Sequence, residues 1–486
     1  MTVPNNATAT EYPSPLRLTI TVFALFLAIL LTALDQTIIG TAIPKITDQF
    51  NSVGDIGWYG SVYFLTSTAL QPAYGRMYML FDVKWSFLVA IFIFELGSLI
   101  CAIAPNSATL IGGSSLETSD HLRAVRPSLG SGIGCRTIAR RSIYRRTQLA
   151  LVLLHQSLPV GAVSVAVIVL ILHLPKTAPT GRSLLQRILD LDLIGITLLL
   201  PTMICLLLAL QWGGTTYAWR NSKIIGLLIG FGLLLTCFVG SQIWLGEKAT
   251  LPPRIMKMCS TISLGCFSFG FGGAYYLLMY YLPIYFHGVR NVSAVHSGIG
   301  ILPILIAQSI SSGAIGAGDS ATTGISTGKW IGYQILTGVG VGAGFQIPMT
   351  AIQTILEQAD IPIGSAAVVF FQSLGGAIVI SVAKSVFENS IVKQISETAP
   401  DVSPRLILDA GATAFRTALA DAGHIDELEM VLDAYMTGLR DVFWVALALA
   451  LFAFVSSLPL EWRSVEQSGS ETTKEGVAST EEDGAV

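Results

Sequence analysis

The sequence is poor in charge. Only 12% of its 486 residues are Asp, Glu, Lys or Arg, about half the share of an ordinary soluble chain. The 28 Lys and Arg nearly cancel the 31 Asp and Glu, for a net charge of -3, so the basic excess that nucleic-acid binding requires is missing. Cysteine is scarce as well. Of the six, Cys101, Cys205, Cys237 and Cys266 lie in or beside apolar runs, and Cys135 and Cys259 have no close Cys neighbour, which excludes a disulfide scaffold. No His/Cys/Glu cluster has metal-ligand spacing and no Ser-His-Asp arrangement stands out, so neither a catalytic residue, a metal nor a cofactor is expected. What is present is apolar: 52% hydrophobic residues, mean hydropathy +0.65, and runs of about 20 apolar residues recurring along the chain. These features exclude a soluble enzyme and describe an all-α, polytopic membrane protein.

Eleven spans are predicted, at 17–44, 58–74, 85–104, 149–174, 191–211, 223–245, 262–286, 297–316, 331–357, 364–386 and 441–459. No cleavable signal is expected, because residues 1–15 are polar and the first run is too long for one. Basic residues in short loops set the orientation. Arg76 and Lys84, then Lys176, Arg182 and Arg187, then Lys248, Arg254 and Lys257 fall on one side if the spans are right. That side is predicted to be cytoplasmic, with residues 1–16 on it. The 387–440 segment mixes charges with helical periodicity (Ile391, Ile395; Phe415, Leu419; Leu428, Val431, Leu432), and is read as an extracellular loop with short amphipathic helices. A final span follows within 441–463. The acidic stretch 464–486 is expected to be disordered.

Ionisable groups inside spans are expensive and therefore informative. Asp35, in LTALDQTIIGTAIPKI (Leu31–Ile46), is a candidate for reversible protonation, since burial raises a carboxyl pKa; the plainer reading is a hydrated or capping carboxylate at a helix end. Glu95, midway through its span, is the second candidate, against an interhelical hydrogen bond with no transport role. Arg76, Asp82 and Lys84 form either an anchor or a charge latch between two spans. The run GVGVGAGFQIP (Gly338–Pro348) lacks the Lys of a phosphate cradle, so Gly338, Gly340, Gly342 and Gly344 are expected to permit close helix packing. Gln334, Gln346 and Gln372 could bond a substrate or another helix. Tyr276 and Tyr280, in GGAYYLLMYYLPIYF, could line a cavity or an interfacial belt. Asn291-Val292-Ser293 is a glycosylation sequon in a predicted outer loop.

Several strings together resemble the fourteen-span drug/proton antiporters of the major facilitator superfamily, in the fungal branch that exports toxins and secondary metabolites. They are LDQTIIGTAIPKI, GDIGWYGSVYFLTSTALQPAYGRMYMLF, FELGSLICAIAPNS, LALQWGG, YYLPIYFHGVRNVSAVHSGIGILP, KWIGYQILTGVGVGAGFQIP and FFQSLGGA, covering most of 17–113 and 158–486. The resemblance implies two helical bundles, at 17–174 and 261–386, joined by linking helices and loops over 175–260, with alternating access around a midplane cavity. It places Asp35 and Thr37 in the first-span motif, and Gly75, Arg76, Asp82 and Lys84 in a cytoplasmic gating loop. Met79 stands where that loop's Asp is expected, and Asp82 where a Gly is expected.

Spans four, five and eleven of the resembled pattern are missing or garbled. Residues 114–148 hold seven Arg and no apolar run. Leu149–Ser157 (LALVLLHQS) is encodable by codons that, read one base forward, give Trp-Arg-Trp-Cys-Phe-Tyr-Ile-Asn, close to the expected lead-in to the sixth span. Arg141–Arg146 (RSIYRR) similarly shifts to Gly-Pro-Ser-Thr-Gly-Gly, in the same frame. Residues 114–157 are therefore read as frame-shifted, by a wrong splice site or a real lesion, and a further span as lost near 313–329. Fourteen less three gives the eleven spans counted, which puts the tail opposite the N-terminus. The resemblance implies proton-coupled export of an amphipathic small molecule by a monomer in the plasma membrane, with a vacuolar or vesicular membrane as the alternative. Its partners are the substrate, protons and the lipid bilayer, with no nucleic acid. Three other readings stay open: the product of a damaged gene, a nutrient importer, and a receptor-like scaffold.

Overall fold

The computed structural model describes residues 56–102, 165, 169, 186–187, 190–214, 217–285, 289 and 327–460. The predicted spans at 17–44 and 297–316, almost all of 149–174, and the aberrant 114–157 segment lie outside them. Among the described residues nine helices have eighteen or more residues: α1 Ile56–Leu80, α2 Val83–Ala102, α3 Leu193–Trp212, α4 Ser222–Leu245, α5 Cys259–Ile284, α6 Thr327–Ile355, α7 Ile361–Thr398, α8 Pro404–Asp421 and α9 Leu428–Ser457. Five of these regions are long and apolar enough to cross a membrane: Leu193–Trp212, Ser222–Lys248, Cys259–Leu282, Ile361–Thr398 and Ile425–Ser457. Pro72, Pro201 and Pro348 sit inside α1, α3 and α6, as packed membrane helices tolerate.

The helices follow the predicted spans closely at α2 to α5 and depart from them at the end of α7 and the start of α9. α7 runs twelve residues past the predicted end at 386, to a total of 38, about 57 Å at 1.5 Å per residue, against an apolar bilayer core of about 30 Å. α9 likewise begins at Leu428, well before the predicted 441. The 387–440 segment is thus mostly continuous helix, with the separate amphipathic α8 inserted between short turns. The reason is packing. Ile391 and Ile395 on α7, Ile407, Phe415 and Leu419 on α8, and Val431 and Tyr435 on α9 are all buried in one cluster, with the Phe415 and Tyr435 rings stacked at 4.8 Å. Ser390 donates to Asp441 Oδ2 at 2.7 Å across the same bundle.

α5 and α7 cross at very close range. A Cβ on Gly272 would collide with the Gln372 carbonyl, and one on Gly375 with the Phe269 carbonyl, so backbone meets backbone in the way small residues allow in membranes. α3 and α4 form an antiparallel hairpin. Its turn is closed by hydrogen bonds from Gly214 N–H to Tyr217 O (2.8 Å) and from Tyr217 N–H to Trp212 O (2.9 Å), with Gly214 at φ 80°, a conformation that favours glycine.

Candidate functional site

Two regions hold the described candidate residues. The first is the end of the molecule where α1 stops and α7 starts. α1 continues through Gly75 and Arg76 to Leu80, so these two residues occupy its last turns, where the sequence pattern had put them in a loop. The break is only Phe81 and Asp82, because Phe81 N–H still bonds Met77 O at 2.9 Å and Ser86 N–H already bonds Asp82 O at 3.0 Å. Lys84 lies in the first turn of α2 and donates to Val169 O at 2.9 Å. Gly75 lies directly against α7: an added Cβ would fall 2.8 Å from both Ala366 Cβ and Pro362 O, and 2.9 Å from Ile363 Cα.

Beside this contact is a polar cluster built by the α3–α4 hairpin. Asp192 precedes the apolar run of α3 and caps it, accepting from Gly195 N–H at 2.6 Å. Its other oxygen accepts from Gln242 Nε2 (2.6 Å), Thr250 N–H (2.9 Å) and Thr250 Oγ1 (2.9 Å). Gln242 Oε1 in turn accepts from Leu251 N–H at 2.9 Å. Asp192, Gln242 and Thr250 are all buried, and their full mutual pairing is what makes such burial tolerable.

Charged groups surround that hub. Arg76, itself buried, donates to Glu247 O at 2.5 Å and to Asp190 O at 3.5 Å. Burial pushes its guanidinium down from the ordinary value, while Asp190, Asp192 and Glu247 oppose the shift. Arg187 reaches Leu80 O at 3.5 Å, and Lys248 pairs with Asp190 at 3.0 Å. Arg254 bridges Glu247 (3.2 Å) and Asp360 (2.7 Å); those two acids hold its pKa above the ordinary arginine value, the hydrogen bond to Asp360 most of all. Of the basic residues expected on one side, Arg76, Arg187, Lys248 and Arg254 meet at this one end, hereafter the basic end, while Lys176 and Arg182 lie outside the described residues.

The second region is the α5–α6–α7 seam. Phe271 and Tyr275 pack edge-on against Phe345 at 5.2 and 4.9 Å between ring centroids, and Tyr275 meets Tyr276 at 5.2 Å. The Tyr276 ring covers Gly376, and Gln372 covers Gly272. Tyr276 and Gln372 thus share one crossing. Tyr280 does not join them: it is 55% exposed and packs on Tyr281, part of the cluster beyond the crossing. Gln346 is half-buried on α6. Of the glycine run, Gly344 lies against the Phe271 ring as close packing requires, while no described residue lies within 4 Å of a Cβ placed on Gly340.

Asp35, Thr37 and Asn291 lie outside the described residues, and for Glu95 on α2 and Gln334 on α6 the description covers the backbone alone. Among the described residues no group of His, Cys, Asp and Glu could hold a metal ion. The sequence reading overlooked Asp190, Asp192, Gln242, Thr250 and Asp360. An acid directly before an apolar run (DLDLIGITLLL) is a helix-start signal that could have revealed the first two. It also overlooked Thr68 and Gln71, buried on the Gly75 face of α1, whose Oγ1 and Nε2 have no hydrogen-bond partner among the described residues.

The family model described as Major Facilitator Superfamily matches residues 25–117. The chain is 38% identical to MFS-type transporter astH of Aspergillus oryzae over 518 aligned positions, covering 95% of this chain and 90% of the relative. It is 39% identical to MFS-type efflux pump MFS1 of Arthroderma benhamiae over 522 positions (95% of each). It is 37% identical to efflux pump aflT of Aspergillus parasiticus over 516 positions (96% of this chain, 100% of the relative). These alignments are longer than the chain. Since 96% of 486 residues fill at most about 467 of the 516 positions, about 50 positions of aflT face no residue here.

Proposed function

The chain belongs to the Major Facilitator Superfamily, among its fungal secondary-metabolite efflux transporters, and on that premise we propose that it exports an amphipathic small molecule in exchange for protons. The observation that carries export is identity of 37–39% to transporters and efflux pumps over at least 95% of the chain. The basic end is assigned to the cytoplasm. Arg76, Arg187, Lys248 and Arg254 collect there, and the positive-inside rule gives that side its identity. Gly75 seated on Pro362–Ala366 closes α1 against α7 at this end. The substrate meets the Tyr276–Gln372 crossing, where aromatic faces and an amide suit a molecule with one apolar and one polar part.

Proton coupling is assigned to Asp35 first and Glu95 second, because an ionisable group within a span is functional by default. Asp35→Asn should abolish export driven by a pH gradient while leaving membrane insertion intact, measured on the chain with its missing spans restored. Unchanged export by that variant removes Asp35 from the mechanism.

One observation favours a second reading, that the sequence as it stands is the product of a damaged or mis-spliced gene. About 50 positions of aflT without a counterpart would supply two spans with their loops, at about 20 residues each. The seven arginines of 114–148 stand where membrane helices belong. Sequencing the transcript decides it: a cDNA that encodes those arginines in frame excludes an error of splice-site assignment.

A further inference from the structure

The superfamily's gating loop lacks its acidic residue here, Met79 standing in that place, yet the basic end is held together by charge. Most of what holds it comes from the two ends of the α3–α4 hairpin, Asp190 just before α3 and Glu247 just after α4, and the resemblance treats that hairpin only as a connection between bundles. Glu247 and Asp190 receive Arg76 at the end of α1 through their carbonyls. Arg254, just past the hairpin, reaches Asp360 immediately before α7. The two attachments converge on Glu247, whose carbonyl takes Arg76 and whose carboxylate takes Arg254. They flank the Gly75 contact with Pro362–Ala366, which is where α1 and α7 must part if this end is to open. The Asp192 hub fixes the position of both, because it ties the start of α3 to the end of α4 and to Thr250 in the following loop.

We propose that the linking hairpin is the latch of the basic end: it clasps α1 through Arg76 and α7 through the Arg254–Asp360 pair, and these must release together for the end to open. Arg254 and Asp360 act as positioning residues, holding the seam and touching no substrate. A connector that carried no load would need neither the buried guanidinium on its carbonyls nor an arginine bridging two acids. The inference rests on the transporter reading, since a latch matters only in a protein that opens.

The test is hydrogen–deuterium exchange of the full chain in nanodiscs, read at residues 72–82 and 357–370. Arg254→Glu should speed exchange in both segments by about fivefold, a modest effect because the Arg254 side chain is half-exposed and partly screened. Combining it with Asp360→Arg restores an arginine facing glutamates and should return both segments to within about twofold of wild type. A merely structural loss of packing would not be rescued by reversing the charges. Wild-type exchange in Arg254→Glu, or no recovery in the double variant, overturns the proposal. Export is assayed separately in sealed proteoliposomes holding the chain with its missing spans restored: a wild-type protein that moves no substrate there counts against the transporter reading, while exchange in the nanodiscs alone decides the latch.

Discussion

Replacing Asp192 by asparagine exchanges one carboxylate oxygen for an NH2 group at the centre of a buried cluster. If the remaining oxygen keeps the cap on Gly195 N–H, the new amide faces Gln242 Nε2 and Thr250 N–H, which are both donors. Gln242 cannot turn over to help, because its Oε1 already takes Leu251 N–H. Only the Thr250 hydroxyl can reverse and accept. Two hydrogen bonds to a charged group are therefore lost, each contributing about 1.5–3 kcal/mol, so the hairpin end should open more easily by at least about 3 kcal/mol. At 1.4 kcal/mol per factor of ten, that is about a 100-fold rise in local opening. Hydrogen exchange at Thr250 and Leu251 reads it directly, since these amides are protected by the cluster and lie at the end of the helices. Exchange within about threefold of wild type would mean that Asp192 is no hub, and the reasoning from its four contacts would fail.

Other substitutions probe the seam. Gly75→Val places carbon atoms within 3 Å of Pro362 and Ala366, and such overpacking costs about 1–3 kcal/mol; the variant should insert normally, exchange faster at 357–370 and lose export. An equally protected segment would show that α1 and α7 yield freely there. Gln71→Leu removes a buried amide whose Nε2 has no partner among the described residues, so thermal stability in detergent should be unchanged or higher, because an unpaired buried group costs about 1–3 kcal/mol. A clear loss of stability would reveal a partner for that amide. Gly375→Val sets a side chain against the Phe269 carbonyl and should prevent the α5–α7 crossing, read as loss of monodisperse protein in detergent; a well-folded variant would contradict the backbone contact.

How much of this was legible in the sequence depends on what each residue faces. α3 and α4 could be read from their apolar runs to within two residues at either end, since the bilayer fixes both length and composition. The extension of α7 was harder, because Lys384 and Glu388 look like the end of a span. They instead pair along the helix at 3.7 Å, and Ile391 and Ile395 carry its buried stripe onward. The glycine run on α6 announced close packing but not which glycines would serve, since that depends on where Phe271 lies. At the basic end, counting arginines and lysines grouped Arg76, Arg187, Lys248 and Arg254, which the fold does bring together, and passed over the acids that organise them. Asp192 has one partner near in sequence, Gly195, and two more than forty positions away, Gln242 and Thr250, which supply three hydrogen bonds between them, and no local pattern encodes such a pairing.

Proton-driven export can be measured as transport into reconstituted inside-out vesicles. With rhodamine 6G as the amphipathic probe and an acidic lumen, the chain with its missing spans restored should accumulate dye as protons leave. Collapsing the gradient, or substituting Asp35→Asn, should abolish the uptake. Dye accumulation that is indifferent to the pH gradient, or that persists unchanged in Asp35→Asn, would contradict the account.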